Sequence, residues 1–468
     1  MAAFDRLLGA DRARWKLDLS RIQALVAALD HPERACPTVL IAGTNGKGSV
    51  AAMVEHALRA AGFRTGRYTS PHLVRPEERI AIDGLPVDAG LFDQAIQDVL
   101  AVEAACLGDG RLTEPASFFE TMTAVAFELL RRARVDVGII EVGLGGRLDA
   151  TNVCDPVATA IVSIDLDHQV WLGATHAAIA AEKAAIARPG VPLVVGDLTD
   201  AALDAVVAAA DAAGAPLVYA AEGVECVIVD PGSGRGSGRG SGRSDGHLTI
   251  TLTTATRTYG PVRLALAGEH QAANAFVAVA LLEALDDAGL HVDRRAVETG
   301  LAEARWPGRL DRVTLPDGRR ALLDAAHNAG GARALAAWLA RTAPDGRPPL
   351  VFAAAKDKDV RAMIRALAPV VGDIVVTAFA DPRALAPDVL AAEVRAALDE
   401  AGGRDDATAA RIHVAASPAA ALDAAWHRSR DIVVAGSIFL LGEVYPRLGR
   451  PDPFAPDRSG PDPVEQAN

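Results

Sequence analysis

One segment restricts the possible folds more than any other: a glycine-rich turn that joins an apolar run to a helical pattern. Residues 38–42 read Thr-Val-Leu-Ile-Ala and predict a buried strand, whereas residues 47–61 have helical spacing. Small glycines in such a turn let the backbone wrap around phosphates, and the helix N-terminus points its N–H groups at them. We therefore predict a phosphate-binding loop formed by consecutive residues: Gly43, Thr44, Asn45, Gly46, Lys47, Gly48 and Ser49.

The spacing of this loop departs from the usual GxxxxGK[ST] pattern. Its first glycine is nearer to the lysine, and Gly48 separates Lys47 from Ser49. Lys47 can still neutralise phosphate charge, and the Ser49 hydroxyl can still bind Mg²⁺. A simple tight turn is the alternative, but a lysine and a serine after a buried strand favour the phosphate loop.

Short apolar runs alternate with alanine-rich helical patterns along most of the chain, which predicts an α/β fold with parallel sheets. The chain of 468 residues is too long for a single compact core, and we expect two domains. The first is assigned to residues 1–300 and contains the phosphate loop. The second, residues 301–450, is smaller and also alternates strands with helices.

Two segments do not follow this alternation. Residues 224–229 and 247–259 predict strands with no helix between them, and the Gly/Ser/Arg repeats over 231–246 predict a flexible, exposed hairpin loop. Residues 451–468, which are rich in Pro and Asp, are expected to be disordered.

Composition excludes several classes of function. The formal net charge of −13 argues against a general nucleic-acid surface, which needs clustered Lys and Arg, but it permits a small anionic ligand. The four cysteines lack CxxC spacing, so neither a structural zinc site nor a disulfide framework is expected. The sequence shows neither a signal peptide nor a membrane span, and we expect a cytoplasmic protein that does not contact a membrane.

Polar residues follow the predicted strands of the first domain. Glu141 ends the strand predicted over 135–140, at the sheet edge where ligands bind in open α/β folds. Beside a phosphate loop, a metal-binding role for Glu141 is favoured over a capping role. His168 follows the next strand, and a ligand role and a structural role are about equally expected. Lys183, on an Ala-rich helix next to Glu182, taken alone indicates only an exposed lysine.

Two polar groups follow strands of the second domain. One is Asp324-Ala325-Ala326-His327-Asn328, which indicates either a turn or a site. The other is Lys356-Asp357-Lys358-Asp359, for which a solvated charged turn is equally consistent with the composition.

Taken together, these segments resemble a known family. The loop ending in Gly-Ser resembles that of the dihydrofolate synthases and folylpolyglutamate synthases of the Mur ligase superfamily. Further matching segments follow in order over nearly the whole chain: 69–73, 78–80, 118–120 with 123 and 126–127, 141–152, 167–168 with 172–173, 182–184, 268–271 with 274–275, 307–309, 324–328, 357–359 and 436–437.

The resemblance implies a P-loop NTPase-like Mur ligase central domain followed by a smaller Rossmann-like domain. It also implies roles for individual residues. The phosphate loop would hold ATP, with Asn274, Arg309 and Asp324 as further nucleotide contacts. Two Mg²⁺ ions are expected, and the implied ligands are Ser49, Ser70, Glu141, His168 and Lys183, the last as a carbamate. The implied catalytic residues are Lys47, Lys183 and His327, and the implied substrate contacts are Ser70, Pro71, His72, Phe119, Thr121, Asp149, His327 and Ser437.

The sequence departs from the family pattern at a few positions. Leu40 occupies a position that is often more polar, and Ala435-Gly436-Ser437-Ile438 varies on Thr-Gly-Ser-Leu. Ala325 replaces a glycine, which raises the question of backbone geometry beside His327, because alanine does not readily adopt positive φ. None of these changes removes a reacting group.

The implied activity is ATP-dependent addition of L-glutamate to dihydropteroate, to a reduced folate or to both, through an acyl phosphate. One alternative is a cell-wall Mur ligase, but such enzymes usually carry a domain before the phosphate loop, and Gly43 leaves no room for one. The other alternative is a nucleotide-binding switch without ligase activity. The expected partners are small molecules, and a monomer fits the family.

Overall fold

The structure is a computed structural model that describes residues 3–4, 7, 18–222, 224–229, 246–343, 346–400 and 411–455. The predicted hairpin loop at 231–246 lies outside the described residues except for Gly246. The same is true of residues 456–468 of the predicted tail. Residues 451–455, by contrast, are described and contact the rest of the molecule, so the packed chain extends beyond the predicted boundary at residue 450.

The first domain is built on an eight-stranded sheet with the strand order β4-β3-β2-β5-β1-β6-β7-β8. The neighbours from β2 to β8 pair in parallel, and β3 and β4 add an antiparallel edge. The strands are Thr38–Ala42 (β1), Thr65–Tyr68 (β2), Ile80–Ile82 (β3), Leu85–Pro86 (β4), Val137–Glu141 (β5), Pro156–Ile161 (β6), Leu193–Val195 (β7) and Leu217–Tyr219 (β8).

Helices cover both faces of this sheet, because the central strands are apolar on both sides and need to be shielded from water. Two buried clusters result, one on each face. The helices are Ser20–Ala28 (α1), Lys47–Ala60 (α2), Ala89–Gly108 (α3), Phe118–Ala133 (α4), Gln169–Leu172 (α5), His176–Ala184 (α6), Asp200–Ala213 (α7), His270–Asp287 (α8) and Arg294–Glu303 (α9).

A small antiparallel sheet occupies the stretch where the sequence predicts strands without helices. Its strands are Glu225–Val229 (β9), Thr249–Thr253 (β10) and Thr258–Arg263 (β11), in the order β11-β10-β9. The single strand expected over 247–259 is therefore wrong. The chain turns back after Thr253, and residues 249–263 form two paired strands.

The second domain is a six-stranded sheet in the order β12-β13-β17-β14-β15-β16, parallel except for the β12–β13 pair. Its strands are Asp311–Thr314 (β12), Arg320–Leu323 (β13), Leu350–Phe352 (β14), Ile374–Val376 (β15), Ile412–Val414 (β16) and Asp431–Ala435 (β17). Its helices are Ala329–Thr342 (α10), Val360–Leu367 (α11), Pro387–Glu400 (α12), Pro418–Trp426 (α13) and Ile438–Arg447 (α14).

The two sheets confirm the predicted α/β class with two domains of parallel sheet. The connection between them runs from Glu303 to Asp311, close to the predicted boundary at residue 300. None of the helices in the described part of the chain combines the length and the apolar character that a membrane span requires. The four cysteines are unpaired, and Cys106 and Cys154 are buried.

Candidate functional site

The phosphate loop, residues 43–49, connects β1 to α2 and is held in place by the segment that follows β6. The Thr44 N–H donates to the Ser163 carbonyl at 2.8 Å, and the Asn45 N–H donates to Ser163 Oγ at 2.9 Å. The Thr44 hydroxyl lies between the backbone carbonyl and N–H of Asp165, at 3.2 and 3.1 Å. Gly46 has a φ of 84°, a conformation that favours glycine. The loop is therefore shaped by the protein itself.

Two lysines meet at one backbone carbonyl of this loop. Lys47 Nζ and Lys183 Nζ each donate to the Gly43 carbonyl oxygen at 3.0 Å. Lys183 is only 5% exposed, so the exposed position indicated by its local sequence is wrong. Burial and the neighbouring charge of Lys47 lower the pKa of Lys183 to about 7. A lysine in this setting exchanges its proton easily near neutral pH.

Glu141 ends β5 beside the loop and is 6% exposed. Its Oε1 lies 3.8 Å from Lys47 Nζ, and its Oε2 accepts the Ser70 N–H at 3.2 Å. Burial raises the pKa of Glu141, and the charge of Lys47 opposes that rise. The structure thus brings Lys47, Ser70 and Glu141 together, as the sequence comparison with the family implies.

Two hydrogen-bonded polar side chains of α8 also reach the phosphate loop. The Gln271 amide donates to Ser49 Oγ at 3.4 Å, and the Asn274 amide donates to Gln271 Oε1 at 2.8 Å. Asn274 also packs against Gly46, where an added Cβ would come within 2.4 Å of Asn274 Oδ1. Gln271 was part of a matching motif but was not predicted as a site residue. It bonds directly to Ser49.

His168, which lies in the segment that follows β6, has a φ of 51°. A non-glycine residue in this region is uncommon, and such conformations cluster at functional sites. Its ring nitrogens lie 3.9 Å from Asp167 Oδ1 and 3.8 Å from Asp357 Oδ2. Burial lowers its pKa to about 4, so the ring is neutral at pH 7 and able to bind a metal. Among the described residues, Asp167, His168 and Asp357 bring their potential ligand atoms within 4.8 Å of one another.

Asp167 of the first domain is in contact with three residues of the second. Lys358 Nζ and Asn328 Nδ2 donate to its carboxylate at 2.6 and 3.1 Å, and His327 Nε2 lies 3.5 Å away. Burial opposes ionisation, but the hydrogen bond from His327 and the charge of Lys358 hold the pKa of Asp167 well below its usual range. Asn328 Nδ2 also donates to Asn45 Oδ1 of the phosphate loop at 3.0 Å.

We call these contacts the domain junction: Asn45, Asp165 and Asp167 of the first domain with His327, Asn328, Arg333 and Lys358 of the second. Its outer member is the pair between Arg333 Nη2 and Asp165 Oδ2, at 2.8 Å. The sequence did not single out Asp165, Asp167 or Arg333 as site residues. The Asp-Lys-Asp segment, for which a solvated turn remained open, supplies Lys358, which is 9% exposed by its side chain.

Asp324 and His327 lie after β13, on the second-domain side of the junction. The carboxylate of Asp324 accepts the N–H groups of Leu310 and Ala326, both at 2.9 Å. Burial raises the pKa of Asp324, and the charge of Arg309 opposes the rise. His327 Nδ1 is 2.9 Å from the Ala325 carbonyl, which fixes the ring orientation. Ala325 is not among the residues with positive φ, so it is accommodated without backbone strain.

The substrate contacts implied by the resemblance fall into two groups, and the first group is Pro71, His72 and Phe119. Pro71 follows a cis peptide bond, and His72 accepts a hydrogen bond from Arg79 Nε at 3.0 Å. Burial and the charge of Arg79 lower the pKa of His72 to about 3, so its ring is neutral. The Phe119 ring stacks against Tyr68 with 6.1 Å between centroids.

Three other implied substrate contacts are already engaged in local structure. Thr121 is fully buried and its hydroxyl donates to the Ser117 carbonyl, so a direct substrate contact by this side chain is contradicted by its position inside α4. The Asp149 carboxylate accepts the N–H groups of Leu144 and Thr151 at 2.8 and 3.0 Å. Ser437 is buried and accepts the Phe439 N–H at 3.2 Å as the N-cap of α14.

Comparison with known proteins gives a consistent assignment. The family model for the Mur ligase glutamate ligase domain matches residues 308–438. The dihydrofolate synthase/folylpolyglutamate synthase of Mycobacterium tuberculosis is 37% identical over 379 residues, covering 78% of this chain and 75% of that protein. The protein of the same name from Bacillus subtilis is 34% identical over 375 residues, covering 79% of this chain and 83% of that protein.

Solved structures extend the similarity to almost the full length. The folylpolyglutamate synthase of Mycobacterium tuberculosis complexed with ADP superposes with a TM-score of 0.84 at 33% identity, covering 96% of this chain and 99% of that one. Escherichia coli FolC in complex with DHPP and ADP superposes with a TM-score of 0.81 at 28% identity, covering 96% and 97%.

Proposed function

The chain belongs to the dihydrofolate synthase/folylpolyglutamate synthase family of Mur ligases, and we propose that it is an ATP-dependent ligase that adds L-glutamate to a folate substrate. The observation that carries this proposal is the meeting of Lys47, Lys183 and Glu141 at a preformed phosphate loop. The proposal is preferred over a cell-wall ligase or a nucleotide switch because the matched relatives are synthases of this kind.

The first step activates a carboxylate of the substrate. An oxygen of that carboxylate attacks the γ-phosphorus of ATP, the bond to the departing ADP breaks, and an acyl phosphate forms. Lys47 and the N–H groups at the start of α2 neutralise the phosphate charge during this transfer. Asn274, Arg309 and Asp324 are proposed as further contacts of the nucleotide.

A divalent cation fits the oxygen donors beside the loop. The hydroxyls of Ser49 and Ser70 and the buried carboxylate of Glu141 form a hard donor set of the type that Mg²⁺ prefers. When bound, Mg²⁺ would supply positive charge to the transferring phosphoryl group. Solved structures of related synthases with AMPPNP and Mn support binding of ATP and a divalent metal. We also propose that a second divalent ion binds near His168 and that Lys183 carries a carbamate.

The surroundings of Lys183 support the proposal that it is carbamylated. The Lys183 ammonium first loses one proton to solvent. The neutral amine then attacks carbon dioxide, a nitrogen–carbon bond forms, and a second proton is released, so that a cation becomes an anion. The lowered pKa makes the neutral amine abundant near pH 7. Both lysines point at the same carbonyl, where two cations repel each other, whereas a carbamate beside Lys47 would be attracted to it.

The second step forms the amide. The amine of glutamate attacks the acyl carbon, the carbon–oxygen bond to phosphate breaks, and the amine loses a proton. His327 and Ser437 are proposed to contact the incoming glutamate, while Pro71, His72, Phe119 and Asp149 are proposed to lie near the folate. Water must be kept away because it would hydrolyse the acyl phosphate, and the domain junction closes the second domain against the loop.

The direct test is an assay of purified protein with ATP, Mg²⁺ and L-glutamate, with either dihydropteroate or tetrahydrofolate as acceptor. ADP release that depends on glutamate and acceptor is expected with at least one of them. Absence of such release with both acceptors would refute the proposal. Comparing the two steady-state rates would show which activity dominates.

We also propose that the protein is a monomer in the cytoplasm. Light scattering after size-exclusion chromatography tests the monomeric state.

A further inference from the structure

Gly48, the residue that makes the loop spacing unusual, is covered by the ring of Trp306. A Cβ added to Gly48 would come within 2.5 Å of Trp306 Cζ2. Gly48 is not among the glycines with positive φ, so its backbone conformation does not require glycine. Its lack of a side chain instead provides space for the indole. The residue that separates Lys47 from Ser49 therefore leaves room for the Trp306 ring.

Trp306 belongs to the connection between the domains, between the end of α9 at Glu303 and the start of β12 at Asp311. Two residues later, the Gly308 carbonyl accepts the N–H of Ala325 at 2.8 Å, which ties the connection to the second domain. The contact with Gly48 thus joins the phosphate loop to the segment that leads into the second domain.

A buried guanidinium lies over the Trp306 ring. The Arg67 Cζ is 4.6 Å from the ring centroid, a distance at which a cation is attracted to the indole. Arg67 Nε donates to Glu55 Oε2 at 2.7 Å, and these side chains are 3% and 1% exposed. Glu55 lies on α2, the helix that begins in the phosphate loop. The arginine is consequently fixed relative to the loop.

The C-terminal segment, residues 451–455, completes this group. The Phe454 ring packs edge-on against Trp306 with 5.7 Å between centroids, and Arg67 is 5.9 Å from the Phe454 ring. Asp452 pairs with Arg75 at 2.6 Å, and the Ala455 carbonyl accepts a hydrogen bond from Arg305 at 3.3 Å. The segment leaves the second domain after α14 and returns to the first.

We propose that Phe454 and Arg67 hold Trp306 against Gly48, so that the C-terminal segment is a working part of the nucleotide site. Phe454 is a positioning residue that acts through Trp306. The inference rests on the proposed function only in taking the phosphate loop as the ATP site. Loss of the Phe454 ring would free the indole to move, and the loop would then hold nucleotide less firmly.

The test measures binding of a non-hydrolysable ATP analogue with Mg²⁺ by calorimetry in the full-length chain. Phe454→Ala is expected to raise the Kd about three- to tenfold, and Phe454→Tyr to restore it, because edge-on aromatic packing has about that effect. Trp306→Ala should raise the Kd at least as much. The double variant should bind no more weakly than Trp306→Ala, because Phe454 is proposed to act on the loop through Trp306. KM for glutamate should stay unchanged in Phe454→Ala.

The matched control is Trp426→Ala, which removes an indole under Arg319 at the far side of the second domain and should leave the Kd unchanged. A Kd for Phe454→Ala within twofold of the unaltered chain would overturn the inference. So would additive effects of the two substitutions. If Phe454→Ala unfolds, Phe454→Leu, which keeps apolar bulk without a ring, gives the same comparison. Absence of binding by the unaltered chain would instead refute the proposed function.

Discussion

The phosphate loop and the domain junction are neighbours in space but are built in opposite ways. The loop takes its groups from seven consecutive residues, and its shape is fixed by bonds to Ser163 and Asp165 within the first domain. The junction joins residues separated by 160 to 283 positions, from the His327–Asp167 contact to the bond of Asn328 to Asn45. The bonds to Ser163 and Asp165 lie within the first domain, whereas the bonds of the junction cross from one domain to the other.

This difference suggests a division of labour. The loop should bind nucleotide largely through the first domain, and the junction should place the second-domain groups, including His327, for the amide-forming step. Closure over a reactive intermediate is a common reason for a ligase to have two domains. Variants of loop residues should therefore affect nucleotide binding, whereas variants of junction residues should affect turnover.

The largest effect is expected at the loop itself. Lys47→Ala should lower kcat/KM by roughly 10³-fold, because the charge that faces the phosphoryl group during transfer is lost. Steady-state ADP release measures this effect. The melting temperature should be measured alongside, because Lys47 bonds to loop carbonyls but also lies 3.8 Å from the buried carboxylate of Glu141. A residual activity above a tenth of the original would contradict the assigned role.

Lys183→Met is expected to reduce turnover by about 10²-fold, since it retains the apolar stem but cannot form a carbamate. Label from isotopically labelled bicarbonate should be incorporated into the unaltered chain and should be absent from this variant. At fixed dissolved carbon dioxide, incorporation should increase as the pH rises through about 7, the lowered pKa of this lysine. Incorporation that is independent of pH, or equal in both proteins, would remove the basis for the carbamate.

The same pKa has a consequence for stability. Burial lowers the pKa of Lys183 from its ordinary 10.5 to about 7, so the unfolded chain binds more protons than the folded chain between these values. In the absence of carbon dioxide, the free energy of unfolding should therefore receive an increasing contribution from Lys183 as the pH rises from about 7 to 10.5. Lys183→Met should show a flatter dependence in chemical denaturation. Identical slopes would contradict the burial of a titrating lysine.

At the junction, Asp167→Asn and Lys358→Met should each lower kcat by about tenfold or more, because each breaks the buried 2.6 Å pair that joins the two domains. In Asp167→Asn, Lys358 keeps only the half-exposed Asp357, at 3.4 Å, as a counter-charge. In the double variant the two losses should not add, since neither charge then remains unpaired. Additive losses in this cycle would mean that the pair does not act as one unit.

The smallest effect is expected at the outer edge of the junction. Arg333 is 61% exposed, and exposed ion pairs contribute about 0–1 kcal/mol. Arg333→Ala should therefore change kcat/KM by less than about fivefold, and high salt should reduce the difference further. A loss as large as that of Asp167→Asn would show that exposure is a poor guide to importance at this interface.

The features that could be predicted from sequence are those encoded locally. The turn between the strand Thr38–Ala42 and the helix Lys47–Ala60, the strand that ends at Glu141 and the alternation of strands and helices depend on neighbouring residues, and the structure shows each of them. His168 was left undecided between two roles, because its setting beside Asp167 and Asp357 comes from two domains. The burial of Lys183 could likewise not be predicted from the sequence of the Ala-rich helix that contains it.

The errors have related causes. Thr121 was taken as a substrate contact from the motif around Phe119, but it lies two positions further along α4, where its side chain is fully buried. The C-terminal segment was expected to be disordered from its Pro and Asp content, whereas Phe454 finds a partner in Trp306 148 positions earlier. Asp167 was part of a matching motif, yet its role depends on Lys358, 191 positions later.

We propose that the phosphate loop binds nucleotide and that the domain junction assembles the site for ligation. Binding of a non-hydrolysable ATP analogue and turnover should be measured side by side in the unaltered chain, Lys47→Ala and Asp167→Asn. Lys47→Ala should lose both binding and turnover, whereas Asp167→Asn should bind the analogue within about threefold of the unaltered chain and lose most of its turnover. If Asp167→Asn loses binding and turnover in equal proportion, the division between loop and junction is wrong.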